Sequence, residues 1–326
     1  MKEKIYKMLK EKAVMKKRKI VIAEGWDEKC LEAASIVLKD DVMDIILLGN
    51  PEEIKKKADE LKYDISKAEI VDYKNYDLKE LADAMVELRK HKGLTKDEAI
   101  KLLADENYFA CMFVHCGHAD ALAGSKICPT AALMRPTLQL LREKGKLVSE
   151  VMVVYIPKID RVVFVTDGSL NIDPSPEDLA QMGINAAEMA NAIGIEPKVA
   201  FLSFSTYGSG GNHENIEKVR GAVKIAKKNS NFLFDGEMQF DAAVNPSAAE
   251  KKCPESPLKG EANVLVFPDL NAGNIFIHTV FQITDLEVLF TLTPGLRKHV
   301  AILGRSSPVE YVVNMLYAIA MECNAE

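Results

Sequence analysis

Lys19–Pro51, KIVIAEGWDEKCLEAASIVLKDDVMDIILLGNP, decides the fold class. Lys19–Ala23 (KIVIA) is a short apolar run of the kind that forms a buried strand. It stops at Glu24-Gly25-Trp26-Asp27, where Asp27 is placed to cap a helix over Glu28–Leu38. Asp44–Leu48 (DIILL) is the next strand, and Gly49-Asn50-Pro51 then opens another helix. Two buried strands separated by a helix pair in parallel, with helices covering the sheet. The rhythm continues outward. Glu69–Val71 is a weak third strand, and Leu78–His91 is a helix ending at Gly93. A further helix starts at Thr95–Asp97 and runs towards Gly117. Asp120–Ala123 is a short strand, and Pro129 starts a helix with Arg135-Pro136 in its first two turns.

The character of the chain changes at Glu143–Glu150 (EKGKLVSE), a polar, glycine-bearing stretch suited to a domain boundary. Val151–Ile156 and Arg161–Thr166 then read as an antiparallel hairpin. Pro176–Ala192 is a helix stopped by Gly194. Lys198–Ser205 is a strong strand leading through Thr206–Asn212 (TYGSGGN) into the helix His213–Lys228. Phe232–Phe234 is a brief strand before Asp235-Gly236-Glu237. Asn263–Phe267 (NVLVF) enters Pro268–Asn274 (PDLNAGN) and a helix to about Gln282, with Asn271 able to cap it. Four strands thus feed polar or glycine-rich loops, after Ala23, Ser205, Phe267 and Leu303. In parallel sheets such loops lie at the carboxyl ends of the strands, where ligands bind.

The 326 residues carry a net charge of −6, so an anionic ligand must be held by local basic residues and not by a global field. Nothing in that balance recommends nucleic acid or an acidic membrane. The six cysteines are scattered without CxxC spacing, as in a reduced chain of the cytoplasm. The basic start, MKEKIYKMLKEKAVMKKRK, has no signal-peptide core and reads as an amphipathic helix covering the first strand. No apolar run is long enough to span a bilayer.

Ala301–Met315 (AILGRSSPVEYVVNM) gathers the parts of an anion site. An apolar strand end is followed by Gly304, Arg305 and Ser306, and then by a helix start. Ser307 suits the N-cap, Pro308 the first helical position and Glu310 the reciprocal position of a capping box. Orphan N–H groups and the helix dipole favour negative charge there, and Arg305 can fork onto phosphate oxygens. The TYGSGGN loop can wrap a phosphate through Gly208 and the hydroxyls of Thr206 and Ser209, or serve only as a tight turn. It is neither a Walker loop nor GxGxxG, and GxSxG is absent, so covalent serine catalysis is not indicated. Arg89, Arg135, Lys298 and Arg305 stand near loops or helix starts, and together suggest a ligand with several phosphates. No histidine pair has metal-ligand spacing, although His115 and His118 lie three apart.

Several of these stretches resemble the signatures of the phosphate acetyltransferase and phosphate butyryltransferase family. Leu233–Val244 (LFDGEMQFDAAV) is similar to DGELQxDAA, and Lys259–Ile275 (KGEANVLVFPDLNAGNI) to GxANVLIFPDLxAGNI. Ser203–Val219 resembles SFSTKGSxxHxxxxKV, and Ala119–Gln139 (ADALAGSKICPTAALMRPTLQ) resembles ADxLVSGAxxTTAxTLRPALQ. Glu87–Thr95 matches a further segment, and the likeness runs from about Ile20 to Met315. The resemblance implies two α/β domains with parallel-rich sheets and an interdomain cleft, similar to isocitrate and isopropylmalate dehydrogenases. Residues 1–146 with 299–326 would form one domain and 147–298 the other. It also implies a cytoplasmic homodimer and reversible acyl transfer between coenzyme A and phosphate. CoA and acyl-CoA would be substrates, with no covalently held cofactor, no metal, no membrane and no nucleic acid.

On that resemblance Arg305 clamps phosphate and polarises the acyl carbonyl, with N–H groups around Ser306 and Ser307 as further donors. Arg89 and Arg135 hold CoA or phosphate charge, and Thr130 matches a family threonine. Ser205, Thr206, Gly208, Ser209, Asn271 and Gly273 line the cleft from the middle domain. This chain departs from the family at three positions. Gly304 replaces a serine, Gln282 an arginine, and Tyr311 the aspartate proposed as thiol base. A phenol with an ordinary pKa near ~10 is a poor base at neutral pH, and adjacent Glu310 is expected to cap the helix. General base catalysis contributes roughly 10²–10⁴-fold, so positioning alone leaves room for a working enzyme. The butyryltransferases also lack the aspartate, which keeps propionyl and butyryl transfer open beside acetyl transfer. The rival of another class is a non-catalytic acyl-CoA sensor.

Overall fold

The computed structural model describes residues 1–325. The chain divides into two compact units, one of Tyr6–Lys146 with the return from Leu296 onward, the other of Met1–Ile5 with Leu147–Gly295. In chain order the strands are β1 (Lys19–Ile22), β2 (Asp44–Leu48), β3 (Glu69–Val71), β4 (Ala121–Gly124), β5 (Val151–Ile156) and β6 (Arg161–Thr166). They continue as β7 (Lys198–Leu202), β8 (Leu233–Met238), β9 (Val264–Val266), β10 (Glu287–Leu292) and β11 (His299–Ile302).

In the first unit the sheet runs β11-β4-β1-β2-β3, parallel throughout, with Ile20 opposite both Ile45 and Ala121. The apolar runs read in the sequence are its centre, for Ile20, Val21, Ile22 and Leu47 are fully buried. The order reverses at β1, whose successor β2 lies on one side and β4 on the other. Such a switch point opens a crevice at the carboxyl ends. Local capping follows the sequence. The Asp27 side chain accepts from the Lys29 and Cys30 N–H groups, and Asn50 accepts from Glu52 and Glu53.

Three local readings are corrected. The helix expected from Thr95 towards Gly117 is two helices, Lys96–Leu103 and Glu106–His115. Asp105 breaks it by capping the second one, accepting from the N–H groups of Asn107 and Tyr108. The last helix is Val309–Asn324, and its N-cap is Pro308 with no side-chain cap bond, so the Ser307–Glu310 capping box does not form. Pro308 is extended, with ψ 165°, which moves the N-cap from Ser307 to Pro308 and the helix start to Val309. Asn271 does not cap its helix either. Asp269 does, accepting from the Ala272 N–H, and Asn271 falls exposed in the first turn of Leu270–Ile283.

The sheet of the second unit runs β10-β5-β6-β9-β7-β8. β5 pairs antiparallel with β6 and β10, and β6, β9, β7 and β8 are parallel neighbours. The brief strand expected at Phe232–Phe234 extends to Met238 and takes in Asp235-Gly236-Glu237. Its core gathers Val154, Val165, Ala200, Leu202, Met238 and Leu265. The helix Leu270–Ile283 reaches the end of β6 because Gly273 has no side chain. A Cβ there would lie 2.2 Å from the Asp167 carbonyl oxygen. In the N-terminal helix Lys2–Ala13, Ile5 and Leu9 are fully buried. Among the described residues no helix is long and apolar enough to cross a membrane.

Candidate active site

At the switch point of the first unit, a carboxylate and an ammonium stitch three strand ends together. Glu24 follows β1 and is 3% exposed. Its Oε2 accepts from the Lys126 N–H at 3.0 Å, and its Oε1 from those of Ile127 and Cys128 at 3.1 and 3.0 Å. The loop after β4 is therefore wrapped around a carboxylate from β1. Lys126, 1% exposed, returns across the crevice. Its Nζ donates to the carbonyl oxygens of Gly304 at 2.9 Å, Arg305 at 3.0 Å and Ser307 at 2.9 Å. Lys29 Nζ adds a bond to the Ser307 carbonyl at 3.1 Å. Burial, and then the Lys29 charge, lower the Lys126 pKa from the ordinary lysine value.

The loop so held displays Arg305 and Ser306, both exposed, with Ser307 half-buried. Gly304 has φ +69°, a region that favours glycine. Glu310 and Tyr311 follow in the first turn of the last helix.

Arg89 and Arg135 converge elsewhere on the same unit. Arg89 ends the helix Lys79–Arg89, and its Nη1 donates to the Gln139 carbonyl at 3.4 Å. The Tyr108 hydroxyl donates to Gln139 Oε1 at 3.0 Å. Burial raises the Tyr108 pKa, while the Arg135 and Arg89 charges oppose that rise, which puts both guanidinium groups in its electrostatic reach. Thr130 is exposed at the first position of the helix Thr130–Leu140, which carries Arg135. Lys298 is not brought to Arg305. It precedes β11 at the strand's amino end, and after burial its charge and that of Arg297 hold His115 below the ordinary imidazole range.

In the second unit the loop after β7 is built on the acidic strand β8. Glu237, 2% exposed, accepts from Ser205 Oγ at 2.9 Å, from the Gly208 N–H at 2.7 Å and from Arg220 Nε at 2.7 Å. Burial works to raise its pKa but is outweighed by Arg220, the Gly208 N–H and the Ser205 hydroxyl, which leave it below the usual value. Asp235 accepts from the hydroxyls of Tyr207 at 2.5 Å and Ser256 at 2.6 Å. Ser205 Oγ also accepts from Gly210 N–H, and Thr206 Oγ1 accepts from Gln239 N–H. Ser205 and Thr206 are thus buried supports of the loop. Gly208 is half-buried, and Ser209 is exposed at the tip with its Oγ accepting from the Thr206 N–H. Gly273 is a packing glycine, as shown above, while Asn274 Nδ2 donates to the Gly168 carbonyl at 3.0 Å. Asp167 caps the turn after β6 through the Ser169 and Leu170 N–H groups, and buried Glu150 lies beside it. Burial, and then the Asp167 charge, push the Glu150 pKa up to about 7.

Sequence reading did not single out Glu24, Lys126, Glu237 or Arg220. A signal existed for two of them. Glu24 ends an apolar strand, and Glu237 sits where β8 runs into the sheet. A carboxylate in such a place is costly unless several donors meet it. Among the described residues no group of three or more His, Cys, Asp or Glu side chains is placed to hold a metal ion.

Comparison with known proteins gives a consistent set of relatives. The family profile described as Phosphate acetyl/butaryl transferase matches residues 4–321. The chain is 40% identical over 321 residues to the phosphate acetyltransferase of Thermoanaerobacterium thermosaccharolyticum, covering 96% of this chain and 97% of that one. It is 40% identical over 320 residues to the Bacillus subtilis phosphate acetyltransferase, covering 98% of each. The crystal structure of a phosphotransacetylase from Streptococcus pyogenes superposes with TM-score 0.93 at 35% identity, covering 99% of both chains.

Proposed function

The chain belongs to the phosphate acetyl/butaryl transferase family, and from that premise we propose that it transfers an acyl group reversibly between CoA and inorganic phosphate, acetyl first. The observation that carries the reading is the Arg305 turn: an exposed guanidinium and a helix start at the carboxyl end of β11, beside the sheet's switch point. In the direction of thioester synthesis the CoA sulfur attacks the carbonyl carbon of the acyl phosphate. The bond between that carbon and the oxygen bridging to phosphorus breaks, the oxygen leaves with the phosphate, and the thiol proton ends on the departing phosphate, so the overall step consumes no base. Arg305 neutralises phosphate oxygens and donates to the developing oxyanion. Arg89 and Arg135 hold the negative charges of CoA. On the second unit, Ser205 and Thr206 hold the loop that presents exposed Ser209, and Asn271 is exposed at the start of its helix. The chain uses no metal and no covalent acyl-enzyme in this scheme.

The chain would work in the cytoplasm as a homodimer. Support for self-association is an apolar groove of about 800 Å³ on the second unit, lined by Ile156, Ile159, Phe240, Phe276, Phe281 and Ile283. Ile159 and Ile283 are 58% and 74% exposed. Sedimentation of the parent and of Ile283→Asp checks it: a dimer that the aspartate dissociates is expected, and a monomeric parent refutes it.

The function is tested by phosphate-dependent thiol release from acetyl-, propionyl- and butyryl-CoA. Acetyl-CoA should turn over fastest. A faster propionyl or butyryl reaction would reassign the acyl group, and CoA binding without turnover on any of the three would make the chain a sensor.

A further inference from the structure

We propose that Lys126 is a positioning residue for phosphate, which turns the Gly304–Ser307 backbone so that the N–H groups of Arg305 and Ser306 and the Arg305 side chain face an anion. The inference rests on the Arg305 reading above and goes beyond it to a residue that no family motif marks. Three carbonyl oxygens within four residues, those of Gly304, Arg305 and Ser307, lie 2.9–3.0 Å from one buried ammonium. A trans peptide is planar, so fixing a carbonyl fixes the N–H of the next residue in the opposite sense. The Gly304 and Arg305 carbonyls point to Lys126, and the N–H groups of Arg305 and Ser306 therefore point away from it. Without the lysine the Arg305 carbonyl would be free to rotate outward, and that of Gly304 would keep only the Ser307 N–H at 3.4 Å, so that partial negative charge could turn to where phosphate must sit.

The clamp is itself anchored. The Lys126 backbone N–H is held by Glu24, which also binds the next two N–H groups of its loop. The two ends of this connection span 178 residues of chain from Lys126 to Gly304. The motif of Ala119–Gln139 has alanine at the position of Lys126, and the family's serine-arginine pair has serine at that of Gly304. At Gly304 a Cβ would come 2.8 Å from Ser307 Oγ, at φ +69°. The lysine and the glycine thus fit one another: the glycine permits the turn and the ammonium holds it.

The test is steady-state kinetics with inorganic phosphate and acetyl-CoA varied separately, and calorimetric titration of inorganic phosphate. Lys126→Met keeps most of the side-chain length but removes the donors and the charge. It should raise the KM and Kd for phosphate by about tenfold or more, as loss of charge-assisted bonds implies, with the KM for acetyl-CoA changed by less than about threefold. A phosphate KM within about twofold of the parent overturns the proposal, and so does an equal rise in both KM values, the mark of general loosening. If Lys126→Met does not fold, Lys126→Ala combined with Gly304→Ser carries the test. A double variant with phosphate KM within about threefold of the parent supports the coupling, and one as weak for phosphate as Lys126→Ala alone overturns it. A parent that binds phosphate but releases no thiol would refute the function and leave the phosphate Kd of the variants to judge the clamp.

Discussion

Replacing Arg305 by lysine keeps a positive charge at the end of β11 but removes the planar fork that grips two oxygens at once. Arg305→Ala removes both. The alanine variant should lose about 10²–10³-fold in kcat/KM, as expected for an oxyanion-stabilising donor, and the lysine variant should fall between it and the parent. Rates with acetyl phosphate and CoA measure the difference, and a normal rate for Arg305→Ala would remove the mechanism. The setting of Arg305 was legible in the sequence because it is local: a strand end, a glycine and a helix start within a few residues. Asp27 and Asn50 were legible for the same reason, since each caps N–H groups two and three residues on. Glu24 and Lys126 were not, because their partners lie 102 to 181 residues away. Only the sheet order brings them together.

Among elements, the loop Thr206–Asn212 owes its shape less to its own glycines than to the strand beside it. Glu237 of β8 collects a hydroxyl, a backbone N–H and a guanidinium, the last of which it shares with Glu217. Glu237→Gln keeps the size but gives up one acceptor oxygen and the charge opposite Arg220. It should cost about 1–3 kcal/mol in urea unfolding, the usual penalty for a buried donor left unmatched. It should also speed amide exchange at Gly208 and Gly210 before other sites on the unit. Unchanged exchange at those two amides would mean that the loop is held by its own turns. The βα rhythm and the β5–β6 hairpin were readable because periodicity and turn residues are carried by neighbours in sequence. The helix starts at Asp105 and Pro308 were misread for a physical reason. Asp105 competes for the backbone inside an otherwise helical stretch, and Pro308 takes an extended ψ of 165° that leaves it outside the helix as its N-cap.

Over the whole chain, two carboxyls, half-buried Glu106 in the first unit and buried Glu150 in the second, tie stability to pH. Glu106 opens the helix Glu106–His115 in the first unit. Burial, then the charges of Glu24 and Asp105, push its pKa up to about 8, and its Oε1 is buried without a hydrogen-bond partner. Glu150 in the second unit is pushed up to about 7 by burial and Asp167. An unfolded glutamate titrates near 4.5. Between that pH and the folded value, the native chain keeps a proton that the unfolded chain has released. Stability contributed by each proton is therefore full below about 4.5 and is lost as pH rises, until about 8 for Glu106 and about 7 for Glu150. The loss cannot exceed about 1.4 kcal/mol per pH unit for each group. Glu106→Gln and Glu150→Gln cannot ionise, so each should gain in Tm relative to the parent as pH rises from 5 to about 8.5. The Glu150→Gln gain should level off about one unit earlier. Scanning calorimetry of the parent and both variants across that range reads the result. A Tm difference that stays constant with pH for either variant would show that its glutamate is already ionised in the native chain at pH 5.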